Sequence, residues 1–162
     1  LPVFRAPSLI RDIAPVAYAD RFTPYVEAMR SIDAAATASR TEAQRRLAER
    51  LPDPATAPFL LQNLVSRNDH FDWRLNLAAI GISVPVLSAF PTALLGRRFT
   101  GPTSLIHGGA SDYVAAADLE SFEDLFPEFE VHTIEDAGHW VHAEKPDAFL
   151  IALRQALDRA AP

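Results

Sequence analysis

From Gly101-Pro102 onward, short apolar strand patterns alternate with amphipathic helix patterns, and this alternation limits the fold more than any other feature. Ser104 to His107 reads as a strand closed by Gly108-Gly109. Ala115 to Phe126 follows as a helix, with Ala116, Leu119, Phe122 and Phe126 on one stripe. Phe129, Val131 and Thr133 then alternate with Glu128, Glu130 and His132, as a half-exposed strand should. Pro146 suits a first helical position, and the helix it opens is expected to bury Phe149, Leu150, Leu153 and Leu157. Strands separated by helices make a parallel sheet, because each helix carries the chain back across the sheet. The fold class is therefore α/β. Two or three strands cannot cover both faces and both edges of such a sheet, so further strands are expected upstream.

The first hundred residues have a different texture. Ser8 to Ile13 is a short apolar run closed by Ala14-Pro15, the pattern of a buried strand and its loop. Between Phe22 and Ala36 the positions Tyr25, Val26, Met29, Ile32 and Ala36 recur at helical spacing. Thr41 with Gln44 offers a capping box for a second helix ending near Leu51. Asp53-Pro54 opens a third, with Phe59, Leu60, Asn63 and Leu64 on one side. From Asp69 to Pro102 the chain is read as a short strand over Phe71 to Leu75, a helical turn and a linker. The organisation expected is a core strand with its loop in 1–19, a helical insertion in 20–95, and the remaining core in 96–162.

Composition removes several classes of function. There are no cysteines, so thiol nucleophiles, disulfides and zinc–thiolate sites are excluded. That fits a reducing, cytoplasmic compartment. The net charge of −6, with arginines scattered among acids, argues against nucleic acid or an anionic membrane as partner. The densest basic stretch, Arg40 to Arg50, contains Glu42 and Glu49 and reads as a solvated helix face. No uninterrupted apolar run approaches the roughly 20 residues of a membrane span. His70 and Asp72 are metal-ligand types, but two residues do not make a site, and neither metal nor cofactor is expected. The opening Leu1-Pro2-Val3-Phe4 lacks an initiator Met and a signal architecture, and is read as a processed or truncated end.

Three loops carry the residues suited to chemistry. Ala137-Gly138-His139-Trp140 stands between a strand and a helix, with a glycine that allows a tight bend before a histidine placed as general base. On position alone, the plainer reading of a loop histidine bonding a nearby carbonyl outweighs it. His107-Gly108-Gly109-Ala110-Ser111-Asp112 ends another strand, where an acid could orient an imidazole, or where Asp112 could simply cap the next helix. Arg11-Asp12-Ile13-Ala14-Pro15 puts a third acid at a strand end, with a plain turn aspartate as the alternative. All three loops fall at one edge of the inferred sheet, where α/β proteins gather their functional groups.

The run Gly138-His139-Trp140-Val141-His142-Ala143-Glu144-Lys145-Pro146 resembles the histidine loop of α/β hydrolases. With Asp12-Ile13-Ala14-Pro15, Phe59-Leu60-Leu61-Gln62-Asn63-Leu64, His70-Phe71-Asp72-Trp73-Arg74 and Gly108-Gly109-Ala110-Ser111, it is similar to bacterial short-chain carboxylesterases related to mitochondrial α/β-hydrolase-domain esterases. The resemblance runs from about residue 8 to the end. It implies the C-terminal part of an α/β-hydrolase fold, interrupted by a helical cap. It makes His139 the catalytic histidine, Asp12 its orienting acid, Ser111 an auxiliary partner and Asp112 the reserve acid. Phe22, Tyr25, Met29, Phe59, Leu60, Phe71, Trp73 and Trp140 become candidates for an acyl pocket. Each is as well explained by cap packing, and Trp73 is also a candidate to anchor the cap through its indole N–H.

The family's nucleophile sits in Gly-x-Ser-x-Gly at a strand-to-helix elbow, and no serine of this chain has that surround. The expectation is part of a serine carboxylesterase acting on short-chain acyl esters. Its partners would be a small ester substrate and an N-terminal half bearing the nucleophile, and the chain alone should be inactive. The alternatives are a non-catalytic binding or dimerising module, and a thioesterase or carbon–carbon hydrolase on the same scaffold.

Overall fold

The parallel sheet forms as the alternation requires. In the computed structural model, which describes residues 8–159, three strands run in the order β1-β4-β5. They are β1 (Ser8–Arg11), β4 (Thr103–Gly108) and β5 (Phe129–Ile134). Both pairings are parallel: Arg11 lies beside Ile106, and Gly108 beside Ile134. This register brings the carboxyl ends of the three strands to one edge. Residues 1–7, the start of the expected 1–19 segment, and 160–162 lie outside the described residues.

The chain divides into two compact units, 1–16 with 91–162, and 17–90. In the first, α5 (Leu119–Leu125) links β4 to β5, and α6 (Val141–Glu144) and α7 (Pro146–Arg159) follow β5. Its core joins Ile106 and Ile134 of the sheet to Ala137, Val141 and Ala152, with Phe149 and Leu153 packed against them. Two expectations change here. On α7 the buried positions are Ala152 and Ala156, while Leu150 and Leu157 are exposed. Small residues let the helix lie close to the sheet. On β5 the stripe holding Glu130 and His132 is the more covered, and Val131 is exposed. Glu130 is satisfied there: Ser104 Oγ donates to its carboxylate at 3.2 Å, His132 Nε2 lies at 3.0 Å and Arg159 at 3.6 Å. A polar group can be covered when it is bonded.

The second unit is less regular than the periodicity suggested. Helix α1 (Thr23–Arg30) stops before Ile32, because Ser31 and Asp33 bond the local backbone instead. Helix α2 (Arg40–Ala48) is capped by Ser39, which accepts from Glu42 N, while Glu42 accepts from Ala38 N. The expected box at Thr41 and Gln44 thus sits two positions too late. The third helix is one short turn, α3 (Ala57–Leu60), between two 3₁₀ turns. Two elements escaped the reading. β2 (Leu64–Arg67) pairs antiparallel with β3 (His70–Trp73) through a turn in which Asn68 takes φ 53°. The supposed linker contains α4 (Leu77–Leu87), capped by Asn76.

The core of this unit is built from Val26, Met29, Ile32, Leu47, Leu61 and Leu64 among others. Helix α4 buries Leu77 and Val84 and packs Ile80 half-buried against the same core, leaving Ile82 82% exposed with Val86 and Leu87 also exposed. One interrupted segment nevertheless reaches the length of a membrane span. Leu77–Leu94 is long and apolar enough to cross a membrane by length and composition, and 17% of it is buried. Ser, Thr, Gly and Pro break the run to the eye without adding charge.

Candidate active site

The end of β1 is bent by Asp12, whose φ of 45° is a left-handed conformation that few residues other than glycine adopt. Aspartate tolerates it better than most. The bend carries the carboxylate inward, where it is 0% exposed. A buried carboxylate must be bonded, and this one is bonded by three donors. Oδ1 accepts the Gly108 N–H at 2.9 Å. Oδ2 accepts the Ser111 hydroxyl at 2.5 Å and faces His139 Nδ1 at 2.6 Å.

That arrangement favours one tautomer of the imidazole. An ionised carboxylate only accepts, so the proton between Oδ2 and Nδ1 belongs to His139. The neutral ring then carries a lone pair on Nε2. The His139 side chain is 32% exposed, against a fully buried Asp12. Tyr113 stacks on the imidazole with ring centroids 4.0 Å apart and planes 24° from parallel. An exposed base backed by a buried acid can take a proton from a group outside and hold the resulting charge.

Backbone packing holds the loops in contact. Ala110 N–H donates to the Ala137 carbonyl at 2.9 Å, and Gly109 N–H to that of Ile134 at 2.9 Å. Gly108 is required at this crossing. A Cβ there would stand 2.2 Å from the Ala137 carbonyl oxygen and 2.3 Å from that of Gly138. Gly108→Ala should therefore push the histidine loop away, destabilising the protein by about 1–3 kcal/mol as overpacking does. A thermal melt with His139 chemical shifts checks both effects.

Of the residues expected to carry chemistry, Asp12, Ser111 and His139 come together. Asp112 is exposed in the same loop as Ser111, and the buried acid at the imidazole is Asp12. The acyl-pocket candidates divide by surroundings. Tyr25, Leu60, Phe71 and Trp73 pack half-buried on the core of unit 17–90, and Met29 lies inside that core. Phe22, Phe59 and Trp140 are exposed. The indole N–H of Trp73 is buried without a hydrogen-bond partner among the described residues, so the anchoring bond considered for it is not formed. Among the described residues no group of three His, Asp or Glu side chains could hold a metal ion. Sequence reasoning missed Tyr113 as the ring stacked on the imidazole, and Glu144 and Arg11 as partners of the histidine loop. Arg11 and Glu144 stood within the quoted motifs, and Tyr113 directly follows the loop that ends at Asp112.

Comparison with known proteins shows the family to which this fold belongs. Residues 3–152 match the Alpha/beta hydrolase family. The chain is 30% identical over 156 residues to the sn-1-specific diacylglycerol lipase ABHD11 of Mus musculus, covering 92% of this chain and 50% of that protein. It is 31% identical over 148 residues to Esterase YbfF of Escherichia coli, covering 91% of this chain and 56% of that one. The chain thus spans about half the length of the curated relatives it matches. Among solved structures, a marine microorganism esterase superposes with a TM-score of 0.81 at 24% identity, covering 91% of this chain and 59% of the other. The chain belongs to the α/β-hydrolase family and is related to its esterases.

Proposed function

We propose that this chain supplies the general base and its orienting acid to a serine carboxylesterase acting on short-chain acyl esters, while the nucleophilic serine comes from a segment outside it. The observation that carries the proposal is His139 Nδ1 held at 2.6 Å from the buried Asp12 carboxylate. In the reaction, Nε2 takes the proton of the serine hydroxyl as its oxygen attacks the ester carbonyl. The imidazolium so formed keeps its Nδ1–H on Asp12. It returns the other proton to the departing alkoxide, leaving an acyl-serine that water hydrolyses through the same base. The mouse relative's name specifies a diacylglycerol lipase, and the E. coli relative is an esterase. Both support an ester of a fatty or short acyl group as substrate. A module that only binds or dimerises has no use for a buried carboxylate trained on a solvent-reachable imidazole, so the catalytic reading is preferred.

The chain alone is expected to turn over p-nitrophenyl acetate or butyrate no faster than its own His139→Ala variant. It should also take no label from a fluorophosphonate probe. Adding or fusing a nucleophile-bearing half should restore both, with the label on the elbow serine of that half. Labelling of Ser104 or Ser111 in the isolated chain would refute the division of labour proposed here.

A further inference from the structure

Asp12 fixes the ring of His139, but other charged groups grip the backbone on either side of it. Glu144, in α6, turns back on the loop. Its Oε2 accepts the Gly138 N–H at 2.8 Å and its Oε1 accepts the Trp140 N–H at 3.2 Å. These amides flank His139. From the end of β1, Arg11 donates to the His139 carbonyl at 3.2 Å and lies 3.2 Å from His142 Nδ1. The peptide groups around one catalytic residue are thus tied by an acid and a base from two different elements. The fit is close: a Cβ on Gly138 would sit 3.1 Å from Glu144 Oε1 and 3.3 Å from Oε2.

We propose that Glu144, assisted by Arg11, is a positioning residue for His139. It sets the loop so that Nδ1 meets Asp12 and Nε2 stays turned outward. The assignment rests on the reading of His139 as general base. Its physical reason is the geometry of a carboxylate, which offers one acceptor oxygen to each amide. Hydrogen bonds to a charged group are the strong ones, and displacement of a base by about 1 Å is enough to cost much of its effect. A glutamine has one acceptor and one donor, so it can satisfy only one of the two N–H groups. Glu144→Gln is therefore a milder lesion than Glu144→Ala at nearly the same volume.

The test is proton NMR on the chain itself, following the low-field resonance of the His139 Nδ1–H shared with Asp12, with a thermal melt beside it. The wild type should show the resonance. Glu144→Gln should exchange that proton with water at least about tenfold faster, the effect of losing one charge-assisted bond, and Glu144→Ala should lose the signal. Arg11→Ala should weaken it less. Leu153→Ala, a packing lesion on α7, should lower Tm yet keep the resonance, which separates positioning from general destabilisation. Should Glu144→Ala fail to fold, the Gln variant decides on its own. A folded Glu144→Gln protein with wild-type exchange would overturn the assignment while leaving the base intact. Absence of the resonance in the wild type would overturn the Asp12–His139 pair, and this assignment with it.

Discussion

His139→Ala, made in the enzyme completed with its nucleophile-bearing half, is expected to lower kcat by at least about three orders of magnitude. The imidazole is the group whose Nε2 can receive the serine proton, and its loss leaves the hydroxyl without a base. The side chain is partly exposed, and the ring rests on Tyr113 and not in a core cluster. Tm should accordingly move little, and KM should change far less than kcat, since the base acts in the transition state. Steady-state kinetics on p-nitrophenyl butyrate, paired with a melt, separates the two. A loss under tenfold would make His139 a structural residue.

Asp12→Asn is expected to cost about four orders of magnitude in kcat, by the precedent of triads in which amide replaces carboxylate. The hydrogen bonds explain the size. Oδ1 serves Gly108 and Oδ2 serves both Ser111 and His139. An asparagine has only one acceptor oxygen. With its NH₂ toward Gly108, two donors face each other in a buried place. With its NH₂ toward His139, Nδ1 must accept, the proton moves to Nε2, and the base is blocked. Asp112 is exposed and the carboxylate at His139 Nδ1 is that of Asp12, so Asp112→Asn should stay within about tenfold, as surface substitutions do. Ser111→Ala removes one bond to the carboxylate and should fall between them, at about ten- to a hundredfold. Measuring kcat for the three variants side by side checks the order. If Asp112→Asn proved the worst, the orienting role would pass to Asp112.

The parallel core was legible because its signals are local. β4 is a short apolar run closed by glycine, β5 alternates with period 2, the helices after them recur near 3.6, and the loops that end the strands hold a glycine, a histidine and an acid in view. What escaped depends on partners remote in sequence or on competing local bonds. Leu64–Arg67 has no alternation and becomes a strand only by pairing with His70–Trp73. Leu77–Leu87 is apolar on every side and contains Pro85, so no stripe announces a helix. The polar stripe of β5 is covered because Ser104, His132 and Arg159 satisfy Glu130, which alternation alone cannot foretell. At the site, the residues alone showed the types needed, and the choice of Asp12 among the acids came from the family resemblance. Asp12 and His139 are 127 positions apart, and the registers of β1 on β4 and of β4 on β5 together bring them into contact.

The central claim, that Asp12 holds His139 as a base with its lone pair on Nε2, is tested most directly by the ¹⁵N chemical shifts of the His139 ring at neutral to mildly alkaline pH. A protonated Nδ1 and an unprotonated Nε2 are expected in the wild-type chain, with that preference lost in Asp12→Asn and kept in Asp112→Asn. A proton found on Nε2, or a tautomer indifferent to Asp12→Asn, would contradict it.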